Sequence, residues 1–371
     1  MASSPHKNFW HKLPRPFFAL APMANVTDSV FRRMIAKYGK PDVMWTEFVS
    51  ADGLVSAGRK KLLVDLVYSE KERPIVAQLF TGHPTAMREA AKIVAELGFD
   101  GLDINMGCPD RSVERQGGGA AMMKASKAAL AVLEAARVVF GEPVSVKTRI
   151  GYNKIDLGWI EFLLRQNPPA LTVHLRTRKE MSDVPAHWEL MPPIIKMRDE
   201  IQADMKPDKR TLIIGNGDVE SLADGVAKCK KYSCDGVMIG RGIFGKPWFF
   251  EGLRESVKKV DTLKKSPEKT PAEHLKILLE HTKLFEKTYC GKKRLKNFAV
   301  MKKHFKAYVS GWDGAKELRV KLMETENYRQ VKNYLIEYPH ARPLPHLPSR
   351  QMVRSHGPGP HRGSSERRHS K

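Results

Sequence analysis

Asp100 to Gly119 reads D-G-L-D-I-N-M-G-C-P-D-R-S-V-E-R-Q-G-G-G, and the rest of the chain is organised around this stretch. Leu102 and Ile104 alternate with Asp103 and Asn105, the period of a short strand. Gly107 and Pro109 then break the strand on either side of Cys108. A free cysteine is usually a small buried hydrophobe, but one held between two breakers sits at the tip of a turn and is presented. The turn follows a strand, so Cys108 lies at that strand's C-terminal end, the catalytic face of a parallel α/β barrel. Gly117, Gly118 and Gly119 permit a second close approach of backbone behind it.

Working outward, seven similar apolar runs appear, each closed by a polar or glycine cluster. The strands are read as 17–21, 43–47, 75–79, 101–105, 144–148, 171–175, 212–215 and 236–239. Amphipathic helical patterns lie between them, for example at 84–97 and 127–139. Near-continuous apolar strands alternating with helices mean a parallel sheet covered on both faces. Eight such units predict a (β/α)8 TIM barrel, with an open doubly wound sheet as the other arrangement the count permits.

The chain has 371 residues, more than the roughly 250 of such a barrel, so an addition is expected. No apolar run approaches the ~18 residues of a membrane span, and no secretory leader is visible. Cys108, Cys229, Cys234 and Cys290 form no CxxC pair, which argues against a zinc site or a disulfide framework and for a reducing, cytoplasmic setting. The net charge is +23, and it is uneven. Lys258 to Lys332 holds 20 Lys and Arg against 9 Asp and Glu, and Pro339 to Lys371 holds 7 against 1. A basic C-terminal third is the electrostatic footprint of a nucleic-acid-binding appendage.

Polar groups gather at the predicted strand ends. Pro22, Met23 and Ala24 follow the first strand, Gln78 is on the third, and Asn105 and Cys108 follow from the fourth. Lys147 and Arg149 end the fifth, and His174 and Arg176 the sixth. Each alone has a structural explanation, such as a snorkelling lysine or a satisfied core histidine. Together they do not, because burying several charges without a ligand is costly. Asn216, Gly217 and Asp218 follow the seventh strand, and Gly240 and Arg241 the eighth. In this fold those two loops make the phosphate site: glycine exposes N–H groups and arginine adds a charge-assisted pair. No G-x-G-x-x-G follows the first strand, which argues against a Rossmann dinucleotide site.

Three regions are therefore expected: a catalytic barrel over 1–255, a helical domain over 256–338 and a disordered basic tail over 339–371. In the second, Thr270-Pro271-Ala272-Glu273 has the form of a capping box, and apolar residues recur at helical spacing from Leu275 to Phe285. A second helix is predicted with Leu295, Phe298 and Phe305 on one side and lysines, including Lys292, Lys293 and Lys296, around it. Two more follow near 316–323 and 328–336. The tail is too rich in Pro, Gly, Ser and Arg to bury a core.

These strings resemble the tRNA-dihydrouridine synthase family: L-A-P-M-A-N-V-T-D-S-V-F-R at Leu20–Arg32, D-I-N-M-G-C-P at Asp103–Pro109, S-V-K-T-R at Ser145–Arg149, H-L-R-T-R at His174–Arg178, G-N-G-D at Gly215–Asp218 and I-G-R-G-I-F-G-K-P-W at Ile239–Trp248. The likeness runs over about residues 17 to 335. It implies an FMN-dependent oxidoreductase, with NADPH as reductant, that reduces uridine in tRNA. Cys108 would be the general acid. Pro22, Met23, Ala24, Gln78, Lys147, His174, Asn216, Gly217, Asp218, Gly240 and Arg241 would hold the flavin. Asn105, Arg176 and Arg178 would meet the uridine, and the helical domain would grip the tRNA, in a monomer with no metal and no membrane association. Two departures stand out. Ala24-Asn25 replaces a commoner glycine, and Ala307 precedes Tyr308 where a tryptophan is expected. Two other readings stay open: a flavin barrel acting on a free pyrimidine, and an RNA-binding protein with an inactive barrel.

Overall fold

The computed structural model describes residues 8–253, 257, 269–291, 294–336 and 338. Eight parallel strands form one sheet in the order β1-β8-β7-β6-β5-β4-β3-β2. They are β1 Phe17–Leu20, β2 Met44–Ser50, β3 Ile75–Phe80, β4 Gly101–Met106, β5 Val144–Arg149, β6 Ala170–His174, β7 Leu212–Asn216 and β8 Gly236–Ile239. A parallel bridge between Ala19 and Val43 joins the two edges, with Leu20 N donating to Val43 O at 3.0 Å. The sheet is closed, so the barrel and not the open sheet is the outcome.

All eight expected strands are present. Five run on past their expected ends, to Ser50, Phe80, Met106, Arg149 and Asn216. The residues alternate between the two faces, except in β2, where the register shifts between Trp45 and Phe48. Leu102, Ile104, Val146, Leu171 and Val173 pack outward into the main core, against α1 Ser29–Tyr38, α4 Pro84–Glu96, α6 Ser126–Phe140, α7 Leu157–Leu164, α8 Met191–Ile201 and α9 Leu222–Tyr232. Shorter helices α2 Ala51–Leu54, α3 Arg59–Leu62 and α5 Arg111–Arg115 lie in the longer connections. Phe17, Ala19, Val43, Trp45, Val76, Ala170, Leu212, Ile214 and Met238 point inward and form a second core. Trp10, from a 3-10 turn before β1, joins that core fully buried, its ring 5.6 Å from that of Trp45. It stoppers the N-terminal end. No periodicity marks that segment in the sequence, and the plug was not expected.

The helical region comprises α10 Pro271–Phe285, α11 Met301–Tyr308, α12 Ala315–Met323 and α13 Tyr328–Ile336. The capping box is formed: Glu273 N donates to Thr270 Oγ1, and Thr270 N to Glu273 Oε2 at 2.7 Å. The second helix starts later than expected. Phe298 opens a 3-10 turn, and Leu295 lies outside it, 47% exposed. The region sits on α1, where Glu280 accepts from Lys37 Nζ and Tyr38 Oη, both at 2.6 Å. The expected tail at 339–371, residues 254–256 at the expected domain boundary, and Lys292 and Lys293 lie outside the described residues. Among the described residues no helix is long and apolar enough to cross a membrane.

Candidate active site

Because every strand is parallel, their C-terminal ends converge on one cavity of about 600 Å³. That size is within the roughly 300–1,000 Å³ of small-molecule sites. Register explains the contents. Asp103 is level with Gln78 and Ser145, Asn105 with Lys147, and His174 with Asn216.

A buried polar chain runs under the floor. Ser145 Oγ donates to Asp103 Oδ1 at 2.5 Å, and Gln78 Nε2 to Asp103 Oδ2 at 2.6 Å. Burial pushes the Asp103 carboxyl up to about 6, against the pull of those two hydrogen bonds. Gln78 Oε1 accepts from Asn105 Nδ2 at 2.9 Å. Asn105 Oδ1 then accepts from two backbone groups, Gly107 N at 3.1 Å and Cys108 N at 2.9 Å. Asp103 thus fixes Gln78, Gln78 fixes Asn105, and Asn105 folds the turn that carries Cys108.

The turn is also clamped from behind. Gly119 has φ +58, and a Cβ there would lie 2.6 Å from the Cys108 carbonyl oxygen. That oxygen accepts from Ala120 N at 2.9 Å. Only glycine fits both the conformation and the space. Arg149 donates from Nε to Gly107 O at 3.0 Å and from Nη1 to Thr177 O and Met181 O, each at 2.9 Å, tying the β4 and β6 loops together. Cys108 lines the cavity, and burial pushes its thiol up, so it keeps its proton at neutral pH.

Across the cavity, Lys147 Nζ donates to Asn216 Oδ1 at 3.1 Å. Burial, helped by the Arg149 charge, lowers its pKa to about 8. Asn216 Nδ2 donates to Met238 O at 2.8 Å, which orients the carboxamide. Burial and the cations Lys147, Arg149, Arg176 and Arg241 hold His174 neutral. Its Nε2 faces Arg176 Nη1 at 3.4 Å and accepts from it, which leaves the ring proton on Nδ1.

Of the residues expected at the site, Pro22, Met23, Gln78, Asn105, Cys108, Lys147, His174, Arg176, Asn216, Gly217, Asp218, Gly240 and Arg241 all line the cavity. Ala24 does not. It is exposed in the loop after β1, next to Asn25 at φ +55. Arg178 does not either: it forks onto Glu114 with two 2.9 Å bonds and lies over the Tyr152 ring. Asp218 is committed within the protein, accepting from Arg176 Nη2 at 2.5 Å and Ala186 N at 2.8 Å. Asn105 is likewise spent on the Cys108 turn. Arg149, Phe48 and Met181 line the cavity without having been assigned. Arg149 and Asp103 carried a signal, each two residues from an assigned residue on the same strand face. Phe48 was lost by ending β2 at Glu47, and Met181 had none.

A family model described as dihydrouridine synthase matches residues 19–341. The chain belongs to the dihydrouridine synthase family. With that membership the expected class, a flavin-dependent oxidoreductase, stands. A protein of Staphylococcus aureus (strain COL) named "Probable tRNA-dihydrouridine synthase" is 40% identical over 335 residues, 90% of this chain and 96% of its own. Its counterpart "Probable tRNA-dihydrouridine synthase 2" of Bacillus subtilis (strain 168) is 39% identical over 335 residues, 90% and 97% of the two chains. Among solved structures, morphinone reductase matches 69% of this chain and 88% of its own at 14% identity and a TM-score of 0.46. At that score it adds nothing to a fold already fixed by the closed sheet of this dihydrouridine synthase.

The cavity lining offers room and positive charge suited to a phosphorylated cofactor. Gly240 leaves open space, since a Cβ there would meet nothing closer than 3.8 Å. Arg241 beside it is 62% exposed, its guanidinium held only loosely, 3.4 Å from Asp218 Oδ1. Lys147, a half-buried cation, faces the space from the floor. Among the described residues no group of three His, Cys, Asp or Glu side chains could hold a metal ion.

Proposed function

We propose that this chain is a tRNA-dihydrouridine synthase that reduces the 5,6 double bond of specific uridines in tRNA, with FMN in the cavity, NADPH as the reductant and Cys108 as the proton donor. The observation that carries this reading is the placement of a proton-retaining thiol, Cys108, and a cation, Lys147, in one cavity at the mouth of the barrel.

Reduced flavin, when bound, supplies a hydride to one carbon of the uracil double bond. The chain's residues do the rest. Gly217, Gly240 and Arg241 hold the phosphate end, with Gly217 and Gly240 offering backbone N–H groups and Arg241 a charge-assisted pair. Lys147, Gln78 and Asn216 would hydrogen-bond the flavin ring system, and Pro22 and Met23 would wall it. As negative charge builds on the pyrimidine, Cys108 Sγ gives its proton to the neighbouring carbon. Burial suits the thiol to that task, because a donor must arrive protonated. The thiolate is reprotonated from solvent through the open mouth.

The target base has to leave its stack to enter the barrel, at a cost of a few kcal/mol. Phosphate contacts supply the compensating binding energy. Lys303, Lys306 and Lys316 are exposed on the helical region and suit that role, whereas Lys296, which the sequence places among them, turns inward onto Glu47. The test is direct. Purified protein should carry FMN, and tRNA from cells lacking the chain should lack dihydrouridine at one or more positions that regain it on complementation. A colourless protein, or unchanged dihydrouridine at every position, would overturn the reading.

A further inference from the structure

The loop after β1 carries Pro22 and Met23 into the cavity wall, and it is held from two sides. Inside the loop, Met23 N donates to Thr27 Oγ1 at 2.9 Å, and Met23 O accepts from Val26 N and Thr27 N. At its tip, Asn25 takes a left-handed φ of +55, which an asparagine tolerates better than most residues. Asn25 N there donates to Glu47 Oε1. Glu47 stands on β2, 4% exposed, and its other oxygen accepts from Lys296 Nζ at 2.7 Å. Lys296 lies between α10 and α11, with its side chain 9% exposed and Nζ also 2.8 Å from Asp65 Oδ1. The same segment sends in Tyr289, whose hydroxyl meets Ser29 N at 3.1 Å and Ser29 Oγ at 3.0 Å. The helical region therefore reaches both ends of the stretch 25–29, at Ser29 directly through Tyr289 and at Asn25 through Lys296 and Glu47.

Stability alone gives little reason for this arrangement. An amine buried with carboxylates costs desolvation, and apolar residues of similar volume often pack as well or better. What an apolar pair would not supply is an acceptor for the Asn25 N–H. Burial works against the Lys296 charge, but Glu47 and Asp65 outweigh it, so the amine keeps its proton; burial raises Glu47 to about 7 against the pull of Lys296, and its Oε1 accepts from the turn.

We propose that Lys296 is a positioning residue for the cavity: acting through Glu47 on the Asn25 turn, it makes the placement of Met23, and with it the seating of the cofactor, depend on the docked helical region. The proposal rests on the flavin reading above. The element suited to meet RNA then also sets one wall of the redox site.

Four full-length proteins test it: wild type, Lys296→Met, Glu47→Leu and Glu47→Gln. Each is measured for FMN affinity by fluorescence, for thermal midpoint, and for single-turnover uridine reduction by pre-reduced enzyme. Lys296→Met and Glu47→Leu should weaken FMN binding and slow reduction by up to about 10²-fold, the effect of misplacing a reacting group by an ångström. Glu47→Gln keeps an oxygen for Asn25 and should rescue most of what Glu47→Leu loses. A Lys296→Met protein with a lower midpoint but wild-type FMN affinity and rate would reduce Lys296 to a docking contact and overturn the proposal. Should that variant not fold, equal behaviour of Glu47→Leu and Glu47→Gln overturns it instead. Wild type that binds no FMN removes the flavin reading and the proposal together, whereas normal wild type with insensitive variants removes the proposal alone.

Discussion

Replacing Asn105 by alanine is the sharpest probe of how Cys108 is presented. The carboxamide oxygen takes two backbone N–H groups, from Gly107 and Cys108, and its Nδ2 donates to Gln78 Oε1. Each bond to the turn is worth about 1 kcal/mol net, and water from the cavity can reach the freed amides, so the presented turn loses about 2 kcal/mol. That converts to a fall of about thirtyfold in the rate of any step that needs Cys108 in place. The assay is single-turnover reduction of unmodified tRNA at saturating concentration, with tRNA affinity measured alongside. Rate should fall and affinity should hold. Asn105→Asp keeps the acceptor oxygens and should recover part of the rate. Full recovery is barred, because Gln78 can turn its amide toward the new carboxylate only if Asp103 takes up a proton. A wild-type rate in Asn105→Ala refutes this role for the turn. Weakened affinity with an intact rate would put Asn105 on the uridine, as the family resemblance implies.

Further outcomes follow from the same geometry. Arg241→Ala should weaken FMN binding by about 1.5 kcal/mol, roughly tenfold, the low end for a charge-assisted bond because the guanidinium is exposed; unchanged affinity would contradict the phosphate assignment. FMN affinity should decline as pH rises through about 8, because the Lys147 amine is charged below that value and neutral above it; Lys147→Met should bind less tightly and lose that dependence in a fluorescence titration. Lys303→Glu with Lys306→Glu should weaken tRNA binding and flatten its salt dependence, by about 0.7 to 0.9 in slope for each phosphate no longer neutralised, while NADPH oxidation stays normal; tRNA affinity that survives would make these lysines solvated surface only.

The sequence carried the barrel well, because each strand's outward residues are apolar and glycine or polar clusters punctuate them. It carried the cavity floor for a related reason: Gln78, Asn105, Lys147, His174 and Asn216 each sit at a strand end, where a polar side chain has little structural reason to be. Pairings between strands were not legible. Asp103 looks like a strand-edge acid in one dimension, and only the register with Gln78 and Ser145 makes it the anchor of the Cys108 turn. Side-chain direction was not legible either. Arg178 is two residues from Arg176 yet turns outward to Glu114, and Lys296 lies in a lysine-rich run yet turns inward to Glu47. Composition reports how many charges a segment has, and pairing decides which are free. The helix expected around Leu295 started late because Asn297 caps the turn at Phe298 instead.

The proposed mechanism turns on proton donation by Cys108. Single-turnover reduction of unmodified tRNA by enzyme already reduced at its flavin bypasses the NADPH step and isolates that transfer. Cys108→Ala should retain FMN, NADPH oxidation and tRNA affinity, yet reduce uridine about 10²- to 10⁴-fold more slowly, the usual worth of a positioned acid. Cys108→Ser should rescue little, since a hydroxyl is a far weaker acid than a thiol. Reduction by Cys108→Ala at the wild-type rate would contradict the mechanism.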